Sequence, residues 1–252
     1  MSPETANHMK WHSNGQVNDG LLRHPADSEA WTWKLFDSKY IEFSFKPRNV
    51  RLGLVADGFN LYGNMSSTHS TWPFILIPYN LPPWMCMKRS SFMLSLFILG
   101  PTSPGNDIDV YLQPLVEELK ELWDVRVKTF DVSSKKSFQV HAALLWTIND
   151  FLAYDDILGW STKGALACPP CNYDSRSHWL RYGRKFNYIG QKQFLDSDHK
   201  FCRQKKSFDG HVNMRSAPII VSGGEIMIQT DTIADHVFGK KQVNLANKRK
   251  RR

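Results

Sequence analysis

Two aspartates are placed to do chemistry in this chain. Asp57 closes the apolar run 49–57 (NVRLGLVAD), and Asp150 closes the run 142–150 (AALLWTIND). Each run reads as a β-strand. Two carboxylates on neighbouring strand ends make a platform for Mg²⁺ or Mn²⁺, because hard cations take rigidly held oxygen ligands. Each aspartate also has an ordinary reading, since Asp beside Gly or Asn commonly ends a strand in a turn. Both readings stand for either residue alone. What favours the chemical one is the order of elements: strand, strand, strand, helix, strand, with an Asp after the first and the last.

A second candidate centre is Cys168-Pro-Pro-Cys171. Two thiolates at this spacing can grip one zinc ion, and structural zinc takes four ligands in a tetrahedron. His178, His199 and Cys202 follow within reach along the chain and are the candidates to complete the set. A redox C-x-x-C and two unrelated buried cysteines are the other readings, and no thioredoxin-like βαβ pattern surrounds the pair. Asp107 and Asp109 form a further carboxylate pair, at a place where a helix cap is expected. No G-x-S-x-G, Walker A or G-x-G-x-x-G motif is present.

The elements that must hold these residues follow from periodicity. Pro25 opens an expected helix through Phe36, with the proline in the tolerated first turn. The first strand is expected over 50–56. Residues 72–79 (WPFILIPY) give a second strand whose prolines predict an edge or irregular position. Residues 91–99 are apolar almost throughout, which predicts a third strand buried on both faces. From Asp107 a helix shows Ile108, Tyr111, Leu115, Leu119 and Leu122 on one face. Pro114 must kink it or mark its true first turn. A short β excursion is expected over 125–132 and 137–139, then a fourth main strand over 140–148, apolar enough to be central and reached from the first by a parallel crossover.

The 252 residues are 42% apolar and 13% aromatic, enough for a sizeable core. The longest apolar stretch, Phe92 to Leu99, is too short to span a bilayer, and the amino terminus shows no signal-peptide pattern. With four cysteines the chain reads as soluble and intracellular. The net charge of +8 sits almost wholly in one place. Lys240, Lys241, Lys248, Arg249, Lys250, Arg251 and Arg252 supply seven of those charges, and no acid follows Lys240. The body is nearly neutral. Such a run reads as a nuclear-localisation signal, a nucleic-acid contact, or a solvated terminus without a partner.

The strand order with an Asp after its first and last strands is the ribonuclease-H-like plan. The chain as a whole resembles the transposases of plant CACTA (En/Spm-type) DNA transposons. The resemblance is carried by DGLLRHPADSEAW (19–31), PRNVRLGLVADGFN (47–60), STWPFILIPYNLPPWMCMK (70–88), GNDIDVYLQPLVEELKELW (105–123), LWTIND (145–150) and GWSTKGALACPPC (159–171), and it spans roughly residues 19–202. It implies an α/β, ribonuclease-H-like mixed sheet with flanking helices, a small zinc-knuckle-like insertion and a flexible basic tail. The implied organisation is 1–48 as a polar segment and helix, 49–158 as the core, 159–202 as the knuckle and 203–252 as the tail. The implied activity is DDE/D transposition, DNA cleavage and strand transfer with Mg or Mn held by three acids, in the nucleus and on transposon-end DNA. Asp57 and Asp150 match the first and second acids.

The chain departs from the family pattern in places. The region expected to hold the third acid and an Asp-x-x-His segment lies downstream, and Glu225 is a weak substitute. The family's Gly-His-Arg-Arg-Phe-Leu-Pro is here GQKQFLD (190–196), so Gln191 stands where a histidine is expected, and glutamine is a poor zinc ligand. Phe-Pro-Ala-Tyr is here FLAY (151–154). These departures predict a fragment of a decayed copy, inactive alone. The alternative is a non-catalytic nucleic-acid-binding protein derived from a transposon.

Overall fold

The computed structural model describes residues 2–230, apart from 18, 32–34, 61, 63–68, 170, 209, 213 and 220. The basic run from Lys240 to Arg252 lies outside the described residues. The chain divides into two compact units, Met1–Ala153 and Tyr154–Arg252.

In the first unit, four short helices precede the sheet: α1 (Pro3–His8), α2 (Trp11–Asn14), α3 (Phe36–Lys39) and α4 (Ile41–Ser44). The strands β1 (Val50–Ala56), β2 (Trp72–Pro78) and β3 (Met93–Ile98) follow, with α5 (Pro83–Cys86) between the last two. The long helix α6 (Ile108–Asp124), a hairpin of β4 (Val127–Asp131) and β5 (Lys136–Val140) and the strand β6 (Ala142–Asn149) complete the series, and the helix α7 (Phe151–Leu158) begins at its end and runs into the second unit. The main sheet has the order β3-β2-β1-β6, with β1 antiparallel to β2 and parallel to β6. Parallel pairing needs a long crossover, and the connection from β1 to β6 contains α6, which packs against β6 and β3.

Strand alternation splits β1 between two faces. Val55 packs with buried Ala26, Trp31, Ile77 and Tyr79, so the segment before β1 covers that face. Leu52, Leu54 and Ala56, also buried, alternate to the other face. Gly53 is required where it stands, because a Cβ there would lie 2.3 Å from the Tyr79 hydroxyl. The β1–β6 register shifts between Leu52 and Gly53: Leu52 pairs with Leu144 and Gly53 with Trp146, so Leu145 is the extra residue of a bulge.

Several elements depart from the sequence expectations. Of the helix expected from Pro25 to Phe36, the described residues show a 3₁₀ turn, Pro25–Asp27, while 32–34 lie outside them. Asp27 accepts the Arg23 and His24 backbone N–H groups, and the His24 ring accepts that of Ala26. These local bonds compete with helix propagation. Trp31 is nonetheless in the core, stacked on Trp146 with ring centroids 6.2 Å apart. β2 is irregular, with a register shift after Phe74, but it is interior rather than an edge, and its prolines fall near its ends. β3 is an edge strand, with Met93, Leu94 and Phe97 exposed, not one buried on both faces. β6 runs to Asn149 and pairs only with β1 among the described residues, so it is not central. α6 continues as helix through Pro114, so the proline does not mark its first turn, and the missing N–H would have met the carbonyl of exposed Val110. Asp107 occupies the N-cap position without a side-chain cap bond.

The second unit holds a hairpin of β7 (Ser177–Leu180) and β8 (Lys185–Tyr188), then α8 (Lys200–Arg203) and α9 (Gly223–Thr230). α9 lies in a stretch expected to lack structure. Trp179 packs edge-on against Phe186 across the hairpin. Buried Lys192 donates to the carbonyls of Gln204 and His211 and lies over the Phe208 ring, which ties three loop segments together. No helix among the described residues is long and apolar enough to cross a membrane.

Candidate functional site

The parallel pairing of β1 and β6 decides where the two aspartates go. Ala56 and Asn149 are register partners at the carboxyl ends of the two strands. Asp57 and Asp150 are the next residue on each. Paired strands lie about 4.8 Å apart, so both carboxylates leave the same end of the sheet from adjacent strands, and both residues are exposed. In open α/β sheets this carboxyl end is where ligands bind.

Each acid has its own support. After Asp57, the indole of buried Trp72 lies where a Cβ on Gly58 would approach to 2.5 Å, so only glycine fits. Phe59 and Thr71 then close a two-bond bridge of 3.0 and 2.9 Å, and the Trp72 ring N–H donates to Ser70 Oγ at 2.8 Å. Asp150 accepts the Ala153 N–H on Oδ1 at 2.6 Å and so caps α7, which leaves Oδ2 as its outward oxygen.

Sequence reasoning missed a group at this same end. His69 Nδ1, Thr71 Oγ1 and Asn149 Oδ1 are buried with no hydrogen-bond partner among the described residues. A buried polar atom left unpaired costs about 1–3 kcal/mol, and native folds keep few of them. Thr71 and Asn149 lie at the strand end that carries the two carboxylates, just before β2 and at the end of β6, and His69 lies beside Gly100 after β3. The only sequence signal would have been Asn149, beside Asp150.

The other candidates are dispersed. Cys168 and Cys171 are brought together. Burial, then the contact with the Cys168 side chain, pushes the Cys171 thiol up to about 11. Gln193, not Gln191, approaches this pair, with Nε2 3.9 Å from Cys171 Sγ. Gln191 is exposed and donates to the Tyr188 carbonyl. The buried Cys202 thiol points to the carbonyls of Lys192 and Asp196, at 3.7 and 3.4 Å. His199 caps α8 through Nδ1, and His178 is exposed on β7. Among the described residues no three His, Cys, Asp or Glu side chains are grouped to hold a metal. Glu225 is engaged elsewhere. Its carboxylate accepts the Ser222 N–H and hydroxyl while Ser222 Oγ accepts the Glu225 N–H, a capping box that opens α9.

Sheet and site together define a mixed α/β protein with an acidic pair at the carboxyl ends of two parallel strands. The chain belongs to the transposase family tnp2, whose pattern matches residues 19–233. Membership in a transposase family carries DNA binding in general. No curated protein and no solved structure matches the chain.

Proposed function

We propose that the Met1–Ala153 unit is a ribonuclease-H-like transposase core of the plant CACTA (En/Spm) type, and that Asp57 and Asp150 are two of its metal-binding acids. The observation that carries this is the register: Asp57 and Asp150 directly follow the paired residues Ala56 and Asn149 on adjacent parallel strands. The sheet order and the family support it. The donor set fits a hard divalent ion, Mg²⁺ or Mn²⁺, because it offers exposed carboxylate oxygens on rigid strand ends. Such an ion, when bound, stabilises charge on the attacking and leaving oxygens of a phosphodiester. The residues themselves supply position: Trp72 and the Phe59–Thr71 bridge hold the turn after Asp57, and α7 holds Asp150. Two-metal transfer takes more acidic ligands than these two, and the described residues bring no third to this end. Our reading of the chain alone is a DNA-binding protein whose strand chemistry is silent. Full-length protein should take up Mn²⁺, read by electron paramagnetic resonance, and Asp57→Ala or Asp150→Ala should weaken uptake about ten-fold or more, as loss of a metal-site group does. Uptake unchanged in both variants sinks the carboxylate platform. Metal-dependent nicking of transposon-end DNA above the Asp57→Ala background would overturn the silent-chemistry reading.

We also propose nuclear localisation through Lys240, Lys241 and the run Lys248 to Arg252, and a zinc ion on Cys168 and Cys171. The zinc proposal rests on the paired thiols alone, which need two further ligands drawn from Cys202, His199 or His178. Purified protein should contain zinc, and Cys168→Ser should lose most of it. Equal zinc in the two would remove this site.

A further inference from the structure

At the opposite end of β1 from Asp57 lies an open groove of about 500 Å³, within the usual size range of ligand clefts. Its walls come from three distant parts of the first unit: Lys10, the connector Phe45 to Asn49, and Phe138 of β5. The seven residues of β1 separate it from the aspartates by roughly 20 Å. Three cations and no acid line it, and Asp131 lies behind Arg48. That acid is buried and already engaged. It takes Arg48 at 2.8 Å and the Ser134 hydroxyl at 2.8 Å, while Lys10 Nζ stands 4.0 Å away. Arg48 is thereby fixed, with its guanidinium over the Phe138 ring. Lys46 is exposed and makes no ion pair among the described residues. The hairpin of β4 and β5 adds exposed Lys128, Lys135 and Lys136 beside it.

Phe45 is the second observation. It is 79% exposed, the most exposed phenylalanine among the described residues, and no ring among them packs on it. Packing does not explain a bare aromatic face in a cleft of cations. A base-stacking platform beside phosphate contacts does, since single strands are held by a positive groove and aromatic side chains together. Arg48, spent on Asp131, shapes the floor. Lys46 is left to meet phosphates, and Lys10, whose ion pair with Asp131 is long at 4.0 Å, can turn to a second one.

We infer that this groove binds an unpaired DNA strand, with one base stacked on Phe45 and its flanking phosphates on Lys46 and Lys10. The inference rests on the DNA-handling role proposed above and gives that role a second contact, remote from the carboxylates. The experiment is fluorescence anisotropy of the full chain with a labelled single-stranded oligonucleotide, its abasic counterpart, the matching duplex and the matching RNA. Phe45→Ala should bind the normal strand about ten-fold more weakly and leave the abasic strand and the duplex unchanged, and Phe45→Trp should restore binding. Lys46→Gln should flatten the salt dependence by about 0.7 in log–log slope. The basic tail is common to all variants and cancels. Phe45→Ala binding both strands like the parent overturns the inference, as does an equal loss on the abasic strand. RNA bound about ten-fold more tightly than DNA, a preference that contacts to the 2′-hydroxyl would give, overturns the DNA assignment. Mn²⁺ uptake on the same preparations is read separately. Strand binding through Phe45 without Mn²⁺ uptake sinks the core reading and keeps the groove, and the reverse result sinks the groove alone.

Discussion

Arg51→Ala is expected to destabilise the first unit by about 3–5 kcal/mol, the usual cost of removing one partner from a buried ion pair. Arg51 is the second residue of an otherwise apolar strand and is only 1% exposed. Its guanidinium donates to Asp37 at 2.6 Å and meets His12 at 3.1 Å, with Trp31 and Phe43 rings 4.8 and 5.0 Å away. Asn80 completes the node: its oxygen accepts the Arg51 N–H, and its amide donates to the Asn49 and Met9 carbonyls. This is how the segment before β1 is tied to the sheet. Truncation would leave Asp37 unpaired and open a cavity beside the Trp31 and Phe43 rings. Urea unfolding followed by tryptophan fluorescence reads the loss. A change below about 1 kcal/mol, the scale of an exposed ion pair, would mean the node is decoration. Arg51→Met, which fills the space without the charge, should recover part of the loss.

Acid should weaken the same unit well above the range where carboxylates titrate. Burial first, and then the neighbouring Arg51, lower the His12 pKa to about 3 from an ordinary 6.5. The folded value lies below the unfolded one, so between these pH values the unfolded chain takes up a proton that the folded chain refuses. Stability is full above the ordinary histidine value of 6.5 and falls as the pH drops toward about 3, by on the order of 5 kcal/mol in all. His24, also lowered by burial, acts in the same direction. The Asp131 carboxyl, held at about 2 chiefly by the Ser134 hydroxyl, loses its contribution only at lower pH. Urea midpoints measured from about pH 7.5 to about pH 5.5, a window above the ordinary carboxylate range, therefore isolate the histidines. His12→Gln should flatten most of the slope, and an unchanged slope would assign the acid sensitivity elsewhere.

Asp57 and Asp150 are legible in the chain because each interrupts a long apolar run, and strand ends are where such runs stop. The parallel pairing also followed from a helix lying between strands. Arg51 could not be read this way. One cation in VRLGLVA looks like a solvent-facing position, and only the distant His12, Asp37 and Asn80 make burial tolerable. β3 misled for the reverse reason: an apolar run predicts burial, yet its partners leave it at an edge. The groove at Phe45 draws on positions 10, 45–49 and 138, which no local pattern connects. The knuckle spacing brought Cys168 to Cys171, but Gln193 rather than Gln191 lies beside them, because the 3₁₀ turn at 191–194 aims the third position inward.

The single extra residue in β6 decides whether an acid faces an acid. Had β6 paired evenly past Leu144, Ala56 would lie opposite Ile148, and Asp57 would stand beside Asn149. The bulge at Leu145 offsets the strand by one position and so brings Asp150 level with Asp57. A one-residue slip also turns every following side chain to the other face of a sheet. The bulge thus works as a phase-setter, placed in the middle of the strand, five residues before the acid it aligns. Nothing about Asp150 itself need change for the pair to be lost. An evenly paired β6 would keep both aspartates in the chain and present the Asn149 amide where the second carboxylate belongs.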